Sequence, residues 1–371
     1  MRATEATTTL RREVEICNAC RYCEGFCAVF PALELKREFV EADLSYLANL
    51  CHNCRGCYYA CQYAPPHEWG INLPRSFAEV RAESYEEYAW PKPLAGLFQR
   101  NGVVVALATA AAIALVLILT MLVQAPGMIF AKRAVLPGEF YAVIPLWAMQ
   151  VIGIATFGFS LVALAMSVGN FWRDAGSERR LTLGAIAHAL HDIATLRNLG
   201  GGGHGCNDNS ERFSMVRRRL HHAMAYGFLL CFAATCVGFV YDTMLGWAAP
   251  YAFLSVPVLL GTIGGIGLLA GTGGLFAMKL VDDPMPAARN LLGADVALLL
   301  LLALAAATGI VLLALRATSL MPIMLALHLG VILALFVTLP YSKMVHGLYR
   351  SAALLRNAIE KDQAPLGGGG G

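Results

Sequence analysis

Two runs of four cysteines are the residues in this chain best spaced to do chemistry. The first reads Cys17-Asn-Ala-Cys20-Arg-Tyr-Cys23-Glu-Gly-Phe-Cys27, the second Cys51-His-Asn-Cys54-Arg-Gly-Cys57-Tyr-Tyr-Ala-Cys61. Both follow C-x2-C-x2-C-x3-C, the spacing that holds paired [4Fe–4S] cubanes. One tight loop brings three thiolates to three corners of a cubane, and the fourth comes from the other run. The spacing therefore assigns Cys17, Cys20, Cys23 and Cys61 to one cluster, and Cys51, Cys54, Cys57 and Cys27 to the other. Zinc would use two separated pairs around one tetrahedron, leaving the third cysteine of each loop without a role. Disulfides need an oxidising compartment, and the polar segment 1–15 reads as neither a secretory nor a twin-arginine signal.

Histidines form the second set. His328 and His346 are 18 residues apart, which on an ideal helix is five turns and about 27 Å of rise. They would then share a face, one near each surface of a hydrocarbon core roughly 30 Å thick, unless Pro340 kinks the helix between them. His221 and His222 open an earlier apolar span at the level of His346. Histidine is costly inside membrane spans and usually functional there. The expectation is that His346 and His222, or its neighbour His221, clamp one b-type haem, contact with lipid headgroups being the plainer alternative. His328 has no histidine opposite it; Met244 is a soft-ligand alternative, and quinone contact or simple packing are the others. Tyr341, Ser342 and Lys343 mark a place for quinone by position alone.

These residues need a membrane scaffold, and the composition supplies one. The chain has 371 residues, 57% apolar and 14% charged, with net charge +3. A soluble domain carries about a quarter charged residues, and no basic run interleaved with aromatics suggests a nucleic-acid surface. The fold class expected is an all-α membrane protein: six transmembrane helices with an N-terminal α-helical dicluster ferredoxin-type head. Residues 1–100 form the head, 101–350 the membrane domain with a loop at 169–220, and 351–371 a tail. Spans are expected at 103–123, 141–168, 223–241, 252–278, 292–315 and 322–345, each near the roughly 20 residues a crossing needs. The loop between the second and third spans carries Arg173, Arg179, Arg180, Arg197, Arg212, Arg217, Arg218 and Arg219, whereas the opposite side holds little beyond Lys132, Arg133 and Arg316. By the positive-inside rule this puts head, loop and both termini in the cytoplasm.

Within the head, 31–50 reads as a helical linker and Arg75–Tyr88 as an amphipathic helix, with a proline-rich stretch between cluster and helix. Tyr22, Phe26, Tyr58 and Tyr59 are expected to shield the clusters, and His52 and His67 to pack or face solvent. In the fourth span the small residues Gly261/Gly265 and Gly267/Gly271 let helices approach closely. A surface helix is expected at 181–199, carrying His188 and His191. The Gly200-Gly-Gly-Gly-His204-Gly-Cys206 loop reads as a connector or a partner-docking element, and Cys231 and Cys236 as small packing residues.

The cysteine runs, Pro65-Pro-His-Glu-Trp-Gly-Ile-Asn72, the 200–207 loop with Arg217-Arg-Arg-Leu-His-His222, and Leu339-Pro-Tyr-Ser-Lys-Met-Val-His346-Gly together resemble the tricarballylate/citrate-utilisation protein B family. The last span is also similar to the haem-b gamma subunit of respiratory nitrate reductase. The resemblance implies a protein of the bacterial inner membrane that reoxidises a soluble FAD-dependent dehydrogenase and passes electrons to quinone. It carries over the eight cysteines, His346, His328 and one of His221/His222; Tyr241-Asp242 stands where a two-haem scheme would need a ligand. The rival readings are a quinol-oxidising subunit of a reductase complex and a carboxylate transporter with an iron–sulfur sensing head. The spans lack the buried cations and broken paired helices that the transporter calls for.

Overall fold

The computed structural model describes residues 2–125, 127, 135–177 and 179–362. Lys132, Arg133 and the glycine tail at 367–371 lie outside the described residues.

The head is built from five helices: α1 (Glu5–Cys20), α2 (Val29–Glu34), α3 (Glu41–Leu50), α4 (Gly56–Tyr59) and α5 (Leu73–Tyr88). Thr4 and Thr7 form a capping box that starts α1. This helix runs to Cys20, so Cys17 and Cys20 sit on its last turn. The linker expected at 31–50 is two helices with a break at 35–40. Their mixed three- and four-residue spacings come from two short stripes, both buried against the head's core. Asn72 caps α5 by accepting from Arg75 N–H, with Pro74 in the first turn, where its missing N–H is harmless.

Six helices are long and apolar enough to cross a membrane. They are α6 (Asn101–Val123), α7 (Leu146–Ala175), α9 (Val216–Met244), α10 (Val256–Val281), α11 (Leu292–Leu315) and α12 (Met321–Thr338). Between α7 and α9 lie α8 (Leu183–Thr195) and a two-residue hairpin pairing β1 (Cys206–Asn207) with β2 (Phe213–Ser214). The second span starts at Leu146 rather than 141, because 137–144 forms turns ahead of Pro145.

The last span also differs from expectation. Helix α12 ends at Thr338, two 3-10 turns flank an extended Ser342, and α13 (His346–Asp362) starts afresh. Pro340 has no N–H to continue the helix, so His328 and His346 lie on different helices. Nor does the chain trail off after 350. Helix α13 packs against α3, α7 and α8, burying Tyr349 and setting Arg356 between Asp43 and Glu360.

Helices α9 and α10 meet at their backbones. A Cβ at Gly227, Gly264 or Gly271 would fall within 2.4–2.8 Å of the facing main chain, and one at Gly274 would strike Leu220. Gly265 instead faces Ile310 of α11, and Gly261 meets only Ala234 at 3.7 Å. The packing stripe therefore runs through 264, 267, 271 and 274: the expected Gly267/Gly271 pair lies on it, and the Gly261/Gly265 pair does not. At the end away from the head, Asp242 accepts from the hydroxyls of Tyr141 and Tyr251, and Arg316 donates to the Tyr251 carbonyl at 2.7 Å.

Candidate functional site

The head contains two hollows. Cys17, Cys20, Cys23 and Cys61 line the first, with Cys57 at its margin. Cys27, Cys51, Cys54 and Cys57 line the second. The two loops share a backbone device: Arg21 and Arg55, each following the second cysteine of its run, adopt left-handed φ of 54° and 66°. That conformation turns the chain sharply enough to aim the third cysteine back at the hollow of the first two.

Among the described residues no three His, Cys, Asp or Glu side chains converge on a single-ion position. The thiols ring a space instead, which suits a group with several metal corners. Burial, reinforced by neighbouring thiols, raises Cys17, pushes Cys23 up to about 12 and holds Cys27 and Cys57 well above the ordinary thiol range. Thiols so placed stay protonated until cationic metal enters among them. Backbone N–H groups await the resulting charge: Val29 and Phe30 at Cys27, Gly56 at Cys54, Tyr63 and Ala64 at Cys61. The donor set fits two cubanes.

The quartets differ in exposure. Cys20 is exposed, and beside it Tyr22 is 67% accessible. Tyr22 therefore leaves this margin open, against the shielding expected of it. Cys51 and Cys54 are buried, covered by the loop between α7 and α9. A Cβ at Gly201, whose φ of +51° favours glycine, would stand 3.7 Å from Cys54 Sγ, and Asn207 N–H donates to the Cys54 carbonyl at 2.9 Å. Arg217 donates to the Asn53 carbonyl at 2.8 Å, while Arg81 and Arg350 both donate to that of Cys51, at 2.7 and 2.9 Å. Arg55 pairs with Asp282 at 3.0 Å and Arg217 with Asp208 at 3.0 Å. Reading the chain for motifs passed over this arginine clamp; the only local signal was an arginine after the second cysteine of each run. The 200–207 loop is thus a cover over the buried quartet, not a free connector.

Towards the membrane, the imidazoles of His221 on α9 and His346 on α13 face each other, ring centres 6.2 Å apart and planes at 81°. His222 turns away to stack on Tyr226 at 5.9 Å. The structure thus pairs His346 with His221, not with the His222 preferred from the sequence. Two imidazoles bonded to one metal from opposite sides through bonds of about 2 Å hold their centres roughly 6 Å apart. His346 directs Nδ1 at the Lys343 carbonyl, 2.6 Å away, which fixes the ring and leaves Nε2 for a metal. This pair fits a bis-histidine haem. His52 hydrogen-bonds the Leu50 carbonyl through Nδ1 at 2.8 Å, and burial holds it well below the ordinary imidazole range. It packs, as expected.

His328 is placed otherwise. Its Nδ1 meets Thr308 Oγ1 at 2.9 Å between α11 and α12, with Gly309 making room for the ring. Met244 is 74% exposed, turned away from any shared ligand position. Among the described residues, His328 serves to pin two helices. Of the three positions suggested for quinone, Lys343 alone lines a cavity, while Tyr341 donates to the Trp90 carbonyl and Ser342 caps the turn that follows.

Residues 10–87 match the family model described as Citrate utilization protein B Fer4-like domain, and residues 97–366 the one described as Citrate utilization protein B. The chain is similar to Citrate utilization protein B of Escherichia coli, 46% identical over 366 residues that cover 98% of this chain and 95% of that protein. No solved structure matches.

Proposed function

The chain belongs to the citrate utilization protein B family, and from that premise we propose that it is a membrane-bound electron carrier. It takes electrons from a reduced soluble FAD-dependent dehydrogenase, of the tricarballylate or citrate-utilising kind, and delivers them to quinone in the bilayer. Its cofactors in this reading are two [4Fe–4S] clusters and one b-type haem. The observation that carries it is the graded burial of the cysteine quartets. One opens to solvent at Cys20 and Tyr22; the other is sealed against the membrane body, with the His221–His346 pair on that body's helices.

When bound, these groups supply one-electron redox chemistry, which divides the two-electron output of a flavin. The chain's own residues do the rest. Eight cysteines hold the clusters, His221 and His346 the haem, and the arginine clamp fixes the second cluster loop against the membrane body. The Arg-rich 169–220 loop lies on the head's side, since Arg217 grips Asn53. By the positive-inside rule this supports a head and both termini in the cytoplasm of a bacterial inner membrane. Residues 1–100 are the head and 101–350 the membrane segment of this reading, and the C-terminal segment begins with the rest of α13, which packs against both.

Purified protein should carry about nine iron atoms per chain, eight with about eight acid-labile sulfides in the clusters and one in a b-type haem. A Cys54→Ala variant that still binds the reduced dehydrogenase should fail to pass electrons to quinone. Transfer at the unaltered rate would refute the carrier reading.

A further inference from the structure

We propose that a cavity between the head and the nearby ends of α6, α10 and α11 seats the quinone headgroup; the inference rests on the carrier reading above. The cavity measures about 460 Å³, within the roughly 300–1,000 Å³ of small-molecule sites. Its position suits an electron acceptor. Asn53 and Arg55 line it and flank Cys54 of the buried quartet, and Lys343, which lines its other end, holds His346 through its carbonyl. One cavity thus touches residues adjoining both the inner cysteine quartet and the histidine pair.

Its chemistry suits a neutral ring with two oxygens. Three of the five lining cations are ion-paired, Arg55 with Asp282 and Lys279 and Lys343 with Asp295; Arg81 donates to the Ala48 and Cys51 carbonyls, and Arg289 is the fifth. The atoms of lining residues left without partners are single hydrogen-bonding groups: Arg55 Nε, Asn53 Oδ1, Asn101 Oδ1, Asp282 Oδ1 and the Tyr85 hydroxyl. Arg55 is 3% and Asn101 5% exposed. A buried polar atom with no partner costs about 1–3 kcal/mol, so a ligand that satisfies several is favoured. A quinone carbonyl accepts from Arg55 Nε, and quinol hydroxyls donate to the two asparagine oxygens. Oxidised and reduced forms therefore both find partners. Much of the remaining wall is apolar, from Ala82 and Phe98 to Leu291 and Leu292, with Asp283 and Arg289 as its charged members. Leu292, 45% exposed where α11 enters the membrane, marks the way out for an isoprenoid tail.

The test uses full-length, cofactor-loaded protein in detergent and a photoreactive short-tailed ubiquinone, with adducts mapped by mass spectrometry. Adducts that decyl-tailed ubiquinone competes away should fall within 78–101 and 282–295, and citrate should not displace them. Adducts confined to other helices, or displacement by citrate, would overturn the site while leaving the carrier reading intact. No competed adduct anywhere would overturn both. Ala82→Trp, and independently Ala287→Leu, should weaken binding of decyl-tailed ubiquinone at least ten-fold with the cluster EPR and haem absorption unchanged. Wild-type affinity in both variants would refute the placement.

Discussion

If His221 and His346 hold a haem as proposed, replacing Gly271 by alanine should loosen it although neither residue would touch it. The added methyl would lie 2.4 Å from Met224 N and 2.7 Å from the Leu220 carbonyl oxygen, where ordinary contact begins at 3.4 Å. These are backbone atoms, which no rotamer change can move. Helix α9 must therefore withdraw by about 1 Å, an overpacking of the kind that costs roughly 1–3 kcal/mol. Leu220 immediately precedes His221, so the withdrawal opens the His221–His346 pair by a similar distance. A metal–ligand bond tolerates only about 0.2 Å. The strain then falls on the bond or on the helices, and 1–3 kcal/mol corresponds to roughly 5–150-fold weaker haem retention. The assay is haem per chain by pyridine haemochromogen, beside acid-labile sulfide per chain, which should not change. Gly273→Ala is the control, since a Cβ there meets nothing within 4 Å. Equal haem content and identical absorption bands in the two variants would refute the reasoning.

Two further outcomes follow from buried charges in the head. Glu13 is 2% exposed and accepts from Asn72 N–H at 3.0 Å, with the Ser76 hydroxyl beside it. Burial raises its pKa above the ordinary 4.5. A carboxyl raised in the folded state gives stability that is fully present below its unfolded pKa and is lost as pH climbs through the folded one. The melting temperature should therefore fall as pH rises above the ordinary 4.5, and Glu13→Gln should flatten that slope; an unchanged slope would assign the dependence elsewhere. Arg356 joins Asp43 and Glu360 at 2.9 Å each, donates to the Ala175 carbonyl at 2.7 Å and stands 3.9 Å over the Tyr46 ring. Arg356→Met strands two buried carboxylates, with Lys36, 3.0 Å from Asp43, as partial relief. The expected loss is about 3 kcal/mol, the low end for a broken buried pair. A thermal shift equivalent to under about 1 kcal/mol would show that α13 is held by its apolar face alone.

The helices and their number were legible because hydrophobic length is written locally. What depended on rotation or on distant partners was not. His221 and His222 are about 100° apart on one helix, and which of them meets His346 is decided by how α9 seats on the glycines of α10. Four-residue spacing announced close packing, but Gly261/Gly265 and Gly267/Gly271 look alike until the partner helix is known. Pro340 signalled a disturbance near the last span; whether it bends or breaks the helix depends on the room that the head and α13 leave. The arginine clamp was beyond reading, since Arg217 and Asn53 are 164 residues apart.

That clamp also bears on the direction in which electrons are drawn. Burial alone disfavours adding negative charge to the inner quartet, and would place it uphill of the exposed one. Arg55 and Arg217 do little to change this, because Asp282 and Asp208 neutralise them. Arg81 and Arg350 differ. Both direct their hydrogen bonds to the Cys51 carbonyl rather than to a carboxylate. Their charges therefore stay uncompensated at the loop that carries Cys51 and Cys54, in a site too buried for salt to screen. Positive charge and hydrogen bonds near the sulfurs raise a cluster's potential, so this pair offsets the burial. The outer quartet has no such pair: Arg12 and Arg21 are tied to the surface carbonyls of Trp69 and Asn18, where water screens them. The asymmetry favours electrons resting on the inner side, next to the histidine pair.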